Sequence, residues 1–251
     1  MINGVLFDMG GTLLDYGGLG NWEAALRATY QAVYHEVVAL GYPGDWPTFE
    51  RRIGDLEQHL WREATSGRAT PTLASTMLEL LASCELAATA AAAETCCQVY
   101  QATLQSKCEV FPDSAATLAS LRARGLKLGL ISNSMLPGAV HQADLARFGL
   151  LDHFSDVIFS ADVGLWKPNA TIFELALGRL GLAAAEAVFV GDRLIDDVAG
   201  AQSAGMSGIL ISPLPGDGPD YGAGVALGIQ PTGRLRSLGE LPALLDRLAR
   251  A

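Results

Sequence analysis

Short apolar runs recur along the chain, and each is too short to form a helix. The first occupies residues 4–7 and ends at Asp8, before a turn that contains Gly10, Gly11 and Thr12. Runs of this kind are typical of strands buried on both faces. Similar runs occupy residues 128–131, 157–159, 187–190 and 208–211. The pattern therefore predicts five buried strands.

Helical patterns separate most of these strands. They cover residues 114–124, about 141–148, 170–180 and 196–204. Strands that alternate with helices in this way indicate right-handed βαβ crossovers. We therefore expect an α/β fold with a doubly wound, mainly parallel sheet.

Residues 21–107 follow a different pattern. They show helical periodicity over 22–26, 49–61 and 73–104, with turn-forming residues at 41–47 and 66–71, and no convincing strand. This pattern predicts a helical insertion after the first strand. Later in the chain, the Gly- and Pro-rich residues 213–228 predict a long surface loop. A last short strand and a closing helix over 238–248 are expected to follow it.

Composition narrows the functional classes. The 251 residues are 50% hydrophobic, which is ample for a buried core, and the formal net charge of -10 disfavours nucleic-acid binding. No stretch stays apolar for the ~20 residues of a membrane helix, and the N-terminus lacks a signal-peptide pattern. We therefore expect a cytoplasmic protein that does not bind membranes. Its four cysteines form no CxxC ligand pair and are expected to be reduced thiols in the core.

Polar residues follow four of the predicted strands. Asp8 follows the first, Ser132 and Asn133 the second, Lys167 lies in the loop after the third, and Asp192 follows the fourth. Each alone is equally compatible with a helix cap. Ligands of open parallel sheets bind beyond the carboxyl ends of the strands. Polar residues after four strands at one edge of the sheet therefore indicate a functional site.

The motifs at these strand ends resemble those of the haloacid dehalogenase superfamily in order and spacing. They occupy residues 7–13, 131–133, 167–173 and 191–201. The resemblance covers essentially the whole chain. It implies a Rossmann-like hydrolase core of residues 1–15 and 109–251, with a helical cap domain of residues 16–108 inserted. It also implies a magnesium-dependent phosphatase that acts on a small phosphorylated metabolite.

The resemblance also implies catalytic roles. Asp8 would be the nucleophile, and Lys167 and Mg²⁺ would supply the positive charge that a carboxylate nucleophile needs. The metal ligands would be Asp8, the carbonyl of Gly10, and Asp192, in keeping with the preference of Mg²⁺ for oxygen.

Further residues would support this centre. Ser132 is expected to bind phosphoryl oxygens together with the main-chain amides of Met9, Gly10 and Asn133. Asp197 would support the metal through a bound water or through Lys167. For Thr12, a bond within the turn is favoured over a contact with the substrate. For Asp196, a solvated helix-cap role is favoured over a contact with the metal.

Gly10 departs from the superfamily pattern, because phosphatases usually carry a second Asp at this position as acid and base. Losing such a group costs typically ~10²- to 10⁴-fold in rate. Asp15, His35 and His59 are nominal replacements. The bland interpretation of each is favoured: a hinge or cap residue for Asp15, and exposed or core-edge helix positions for the histidines.

Three functional hypotheses remain. The favoured one is a phosphatase that is slow on alkyl phosphates, prefers good leaving groups, or borrows an acid. The others are a metal-independent 2-haloacid dehalogenase and a non-hydrolytic phosphate- or metabolite-binding protein.

Tyr16, Asn21 and Trp22, in a glycine-rich hinge, are candidates to face the substrate, although Trp22 is equally compatible with a core anchor. Trp46 and Trp61 fit either a dimer surface or the cap core, so a monomer and a homodimer both remain open.

Overall fold

The chain forms eight short strands within its described residues. In the computed structural model, residues 1–18, 21–212 and 221–250 are described. The strands in chain order are β1 (Gly4–Phe7), β2 (Leu14–Asp15), β3 (Glu109–Val110), β4 (Lys127–Ser132), β5 (Asp156–Phe159), β6 (Ala187–Gly191), β7 (Ser207–Ile211) and β8 (Gly233–Leu235). Six of them form a parallel sheet in the order β5-β4-β1-β6-β7-β8. The predicted parallel α/β fold is therefore confirmed.

The central strand β1 is buried on both faces, as its apolar run predicts. Val5 and Phe7 contribute to one core cluster, whereas Leu6 contributes to another on the opposite face. All three side chains are fully buried. Because successive strand residues point to opposite faces, a strand covered on both sides needs every position to be apolar.

Strand order changes direction at β1. The chain first runs outward through β4 and β5, then returns across β1 to build β6, β7 and β8 on the other side. Phe7 lies opposite Leu130 of β4 and Val190 of β6. In open parallel sheets, this kind of switch leaves a crevice beyond the carboxyl ends of the strands. Asp8, the residue directly after β1, therefore lies at this crevice.

Helices on both faces connect the strands. Those of the sheet region are α5 (Ser114–Ala123), α6 (Gly138–Arg147), α7 (Ser160–Val163), α8 (Ala170–Leu180), α9 (Gly200–Ser203), α10 (Tyr221–Ala226) and α11 (Leu241–Leu248). Residues 194–199, part of which we expected to be regular α-helix, form a π-helical turn before α9. The expected loop over 213–228 is wrong in part, because α10 occupies its second half; residues 213–220 lie outside the described residues. Gly224 in α10 lies against Leu194, and a bulkier residue there would clash with that side chain.

Four helices make up the helical segment, defined as residues 22–105. They are α1 (Trp22–Ala39), α2 (Trp46–Thr65), α3 (Leu73–Ser83) and α4 (Ala90–Gln105). Asp45, Thr72 and Thr89 accept hydrogen bonds from main-chain amides and so cap α2, α3 and α4. The expected continuous helical stretch over 73–104 is broken at residues 84–89, where Glu85 has a positive φ of 58°.

A two-stranded antiparallel ribbon stands where the chain enters and leaves the helical segment. β2 pairs with β3 there, with Leu14 opposite Val110. Two-residue strands leave too little periodicity to be predicted from sequence. Close by, the carboxylate of Asp144 on α6 accepts one hydrogen bond from Tyr16 and one from Gln105, each at 3.0 Å. One core side chain thus holds both connections.

The cysteines are free thiols in or near the core, as their spacing predicts. All four cysteines are free thiols; Cys84, Cys96 and Cys108 are buried and Cys97 is partly buried. Burial raises the pKa of Cys96 and of Cys97 to about 11. Within the described ranges, no helix is both long enough and apolar enough to span a membrane.

Candidate active site

Lys167 is bonded to two carboxylates at the crevice. Its Nζ donates to Oδ1 of Asp8 and to Oδ1 of Asp197, both at 2.6 Å. Asp8 follows β1, Lys167 lies in the loop between α7 and α8, and Asp197 lies in the π-helical turn. Residues far apart in sequence therefore meet at one point, as the strand-end argument predicted.

Burial raises the free-energy cost of the charges in this cluster. Lys167 is 1% exposed and Asp197 is fully buried. Burial alone would lower the pKa of Lys167, but the negative charges of Asp197 and Asp8 raise it above its ordinary value. Burial raises the pKa of Asp8 to about 6, even though Lys167 pulls it down. A buried charge is tolerated only when it is paired and hydrogen-bonded.

Asn133 and Phe189 fix the position of this lysine. The side chain of Asn133 accepts from the Lys167 main-chain N–H at 2.8 Å and donates to the Lys167 carbonyl at 2.9 Å. The Nζ of Lys167 lies 5.1 Å from the centroid of the Phe189 ring. Both contacts hold the lysine in the crevice. The Asn133 side chain thus has a positioning contact beyond the main-chain amide that sequence analysis singled out.

The turn after β1 is held by its own main chain. The carbonyl of Met9 accepts from the N–H groups of Leu13 at 2.8 Å and Leu14 at 3.0 Å. Gly11 has a φ of 78°, and a Cβ there would run into the carboxylate of Asp192. Glycine at this position therefore lets Asp192 approach the turn.

Gly10 and Thr12, in the same turn, have contrasting surroundings. A Cβ added to Gly10 would meet no other atom within 4 Å, so the position that lacks the acid-base Asp is open. The hydroxyl of Thr12 is buried and has no hydrogen-bond partner among the described residues. Thr12 does bond within the turn, as expected, but through its main-chain N–H, which donates to the Met9 carbonyl at 3.3 Å.

Three carboxylates could together hold a metal ion. One oxygen each of Asp8, Asp192 and Asp197 lies within 4.8 Å of the others. Oδ1 of Asp192 is buried and has no hydrogen-bond partner in the described parts of the chain. Burial, and then the charges of Asp8 and Asp197, raise the pKa of Asp192 well above its usual range. Three carboxylates against one lysine leave two negative charges, which a divalent cation would neutralise.

Asp197 differs from the other two carboxylates because both of its oxygens already accept hydrogen bonds. Oδ1 accepts from Lys167 at 2.6 Å, and Oδ2 accepts from the main-chain N–H of Arg193 at 2.9 Å. Its neighbour Asp196 is 4% exposed and accepts from Nε of Arg193 at 2.7 Å. The expected solvated cap role for Asp196 is therefore wrong, because the π-helical turn buries this carboxylate against Arg193.

The nominal acid-base replacements differ in their burial. His35 and His59 are exposed positions on α1 and α2, which agrees with their bland interpretation. Asp15 is buried in β2, and its Oδ2 accepts from the Gly17 N–H at 3.2 Å. Ser132, the residue expected to bind phosphoryl oxygens, is buried at the end of β4.

The residues of the expected hinge differ in their surroundings. Tyr16 is 8% exposed, and its hydroxyl lies 3.0 Å from Nδ1 of His141. Asn21 caps α1, and Trp22 at the start of that helix is 49% exposed, so Trp22 is not a core anchor. Gly20, also assigned to the hinge, lies outside the described residues.

A buried polar network that the sequence does not reveal lies beside the crevice. Nε2 of His141 lies 2.7 Å from the hydroxyl of Ser134, which is two residues after Ser132. The other ring nitrogen of His141 faces Tyr16. Burial lowers the pKa of His141 to about 4, so the ring is neutral at pH 7. Because these residues come from separate elements, no local pattern could have revealed the network.

Fold and cluster together define a parallel α/β protein with a buried aspartate–lysine centre at its topological switch point. The family model of the haloacid dehalogenase-like hydrolases matches residues 2–205. The chain therefore belongs to the haloacid dehalogenase-like hydrolase family.

Relatives of known name include phosphatases. A glyceraldehyde 3-phosphate phosphatase of Methanothermobacter thermautotrophicus is 41% identical over 103 residues, which cover 41% of this chain and 44% of that protein. The chain spans about half the length of the curated relatives it matches.

Solved structures match over nearly the whole chain. A phosphatase of the same superfamily from Thermococcus onnurineus is 26% identical, with a TM-score of 0.66 and coverage of 97% of this chain and 98% of that one. A 2-haloacid dehalogenase from Pseudomonas syringae pv. Tomato DC3000 is 25% identical, with a TM-score of 0.72 and coverage of 99% and 100%. The same fold thus accompanies both chemistries, and the choice between them depends on the site.

Proposed function

We propose that this protein is a magnesium-dependent phosphatase of small phosphorylated metabolites that acts through an aspartyl-phosphate on Asp8. One observation carries the proposal: Asp8 lies beside Lys167 in a buried cluster whose third carboxylate, Asp192, has an oxygen without a partner among the described residues. A dehalogenation that needs no metal would leave that carboxylate without a role.

The residues present fit a magnesium ion. Asp8 and Asp192 would hold it with the carbonyl of Gly10, while Asp197, whose oxygens are both engaged, would act through Lys167. When bound, Mg²⁺ would neutralise phosphoryl oxygens and the carboxylates around them.

Asp8 would attack phosphorus and form the covalent intermediate. A carboxylate is a weak nucleophile in water, and burial at the crevice strips away solvent that would otherwise stabilise it. Lys167 would keep Asp8 ionised and oriented through its 2.6 Å bond. Ser132 and the main-chain amides of Met9, Gly10 and Asn133 would hold the phosphoryl oxygens as charge develops on them.

Gly10 would limit both halves of the reaction. Without a side chain it can neither protonate the leaving alkoxide nor deprotonate the water that hydrolyses the intermediate. The expected loss is ~10²- to 10⁴-fold, or about 3 to 5 kcal/mol of barrier. Good leaving groups, such as aryl or acyl phosphates, need no proton in the first step and would be favoured.

We also propose that residues 16–108 act as a cap over a core of residues 1–15 and 109–251. The contacts between α3 and the loop after β4 support this assignment. The N–H of Leu73 donates to the carbonyl of Met135 at 2.7 Å, and the hydroxyl of Thr76 donates to the Met135 sulfur at 3.4 Å. A segment that touches the loop beyond Ser132 could exclude water and select the substrate.

A single assay tests the proposed function against its competitors. The purified protein is incubated with p-nitrophenyl phosphate and with 2-chloropropionate, each with and without Mg²⁺, beside an Asp8→Asn variant. We expect magnesium-dependent phosphate release that is absent in Asp8→Asn. Metal-independent halide release would establish a dehalogenase instead, and the absence of both products would favour a binding protein.

A further inference from the structure

Helix α2 carries a tryptophan near each end, and the second one contacts the sheet region. The ring of Trp61 lies 5.2 Å from the ring of Trp166, centroid to centroid, at an interplanar angle of 86°. The guanidinium carbon of Arg193 lies 5.6 Å from the centroid of the Trp61 ring. One side chain of the helical segment therefore contacts two separate loops at the crevice.

Both loops carry residues of the candidate site directly beside the contact. Trp166 immediately precedes Lys167, whose Nζ joins Asp8 to Asp197. Arg193 immediately follows Asp192, and its main-chain N–H donates to Asp197. A shift of either loop would therefore move a charged group of the site.

The ring of Trp166 is held by packing. It is 2% exposed, and its indole N–H has no hydrogen-bond partner among the described residues. Its apolar neighbours in the same cluster are Ala64, Met135 and Trp61. Two of these three belong to α2, so the docked position of this helix determines how the ring is packed.

We propose that Trp61 is a positioning residue that fixes the two loops bearing Lys167 and Asp192 through its contacts with Trp166 and Arg193. The consequence for catalysis rests on the proposed function; the ordering of the loops does not. Edge-to-face aromatic pairs and cation–π contacts both stabilise the arrangement of the side chains that make them, which is enough to bias the order of a loop.

Trp46 provides a matched control on the same helix. Its ring lies 5.5 Å from the ring of Tyr34 at 67°, and the guanidinium carbon of Arg27 lies 5.9 Å from its centroid. The contacts are of the same two kinds, but both partners lie on α1. Truncating Trp46 should therefore weaken the helical segment without loosening the crevice loops.

The first measurement is hydrogen exchange, which needs no substrate. The amides of Lys167 and Arg193 donate to side-chain oxygens of Asn133 and Asp197. In Trp61→Ala we expect both amides to exchange faster by on the order of tenfold, with no change in Trp46→Ala. Equal exchange in the two variants would overturn the proposal. Trp61→Phe, which keeps an aromatic ring, should lie between parent and Trp61→Ala, and serves if the alanine variant fails to fold.

The second measurement is turnover of p-nitrophenyl phosphate with Mg²⁺. Misplacing Lys167 should lower kcat about 10- to 100-fold in Trp61→Ala with a smaller change in KM, partly restored in Trp61→Phe. An unchanged kcat in both Trp61 variants would contradict the positioning role. If the parent itself shows no turnover, the proposed function fails, and the exchange rates alone decide whether Trp61 orders the loops.

Discussion

The strand-end crevice and the helical segment are built from different interactions. At the crevice, Lys167 is almost fully buried between two carboxylates. In the helical segment, the ion pair between Arg27 and Glu50 leaves 59% and 33% of the two side chains exposed. The same segment also contains an aromatic cluster of Tyr34, Tyr42, Trp46 and Phe49, with ring centroids 5.4–6.5 Å apart.

The two regions differ in how much a charged side chain contributes to stability. A buried charge without its partner is costly, whereas an exposed pair is screened by water and worth little. Charge changes should therefore disable the crevice, whereas removing an exposed ion pair such as Arg27–Glu50 should leave the helical segment almost unaffected. Loss of aromatic area should have the opposite pattern, except at Trp61, where the two regions meet.

Removing the buried lysine should have the largest effect. Lys167→Met leaves Asp8 and Asp197 without their cation, and we expect turnover to be lost and the free energy of unfolding to fall by roughly 3–5 kcal/mol. Urea unfolding at pH 8 measures the loss. Arg27→Met is the control from the helical segment and should cost less than about 1 kcal/mol. Similar losses of unfolding free energy in the two variants would contradict this difference between the two regions.

Restoring an acid-base carboxylate should have an effect of similar size on rate alone. A Cβ at Gly10 meets open space, so Gly10→Asp should fold normally. We expect turnover of an alkyl phosphate such as glycerol 2-phosphate to rise by ~10²- to 10⁴-fold, because both steps need the group, and turnover of p-nitrophenyl phosphate to rise through the hydrolysis of its intermediate alone. Rates of phosphate release for the two substrates provide the test. If the variant is no faster than the parent on the alkyl ester, the explanation based on the missing group is wrong.

Acid should destabilise the fold through His141. Because burial lowers its pKa to about 4, the unfolded chain takes up a proton below pH 6.5 that the folded chain does not. Stability present above pH 6.5 is therefore lost as the pH falls towards 4, by up to roughly 3 kcal/mol. Asp8, whose pKa is raised, contributes in the opposite direction.

The contribution of His141 is isolated by comparing variants. The stability difference between parent and His141→Gln should change with pH over this window. Parallel pH profiles for parent and His141→Gln would show that the buried ring does not titrate as described.

Magnesium binding should depend on Asp192 but not on the nearby Asp196. At a Mg²⁺ concentration about 100 times its Kd, binding should stabilise the parent by about 2.7 kcal/mol. Asp192→Asn should abolish this gain and, without metal, should itself raise Tm, because burial, and then the charges of Asp8 and Asp197, disfavour an ionised carboxylate at this position. Asp196→Asn is the control. A magnesium-dependent Tm shift that survives Asp192→Asn would exclude Asp192 as a ligand.

Much of the sheet could be predicted because its information is local. The runs that form β1 and β6 are short, apolar and followed by turn residues, and the predicted bounds of these strands agree with the observed ones to within one residue. The meeting of Asp8 with Lys167 followed from the rule that parallel strands end at one edge. Gly10 could likewise be recognised as a departure from the sequence motif.

The remaining features depend on contacts between distant segments. Nothing near Trp61 in sequence indicates Trp166 or Arg193, and the partners of His141 are seven residues away or more than a hundred. The pairing of β2 with β3 joins segments about ninety residues apart through two residues each. The burial of Asp196 depends on a π-helical turn that the sequence does not signal.

The central claim is that Asp8 attacks phosphorus, and the covalent intermediate tests it most directly. The protein is mixed with p-nitrophenyl phosphate and Mg²⁺, quenched in acid within seconds, digested and analysed by mass spectrometry. Because Gly10 cannot activate water, we predict that the intermediate accumulates and that the peptide containing Asp8 carries one phosphoryl group, which hydroxylamine removes. Phosphate release with no phosphorylated Asp8 at any quench time would contradict the account.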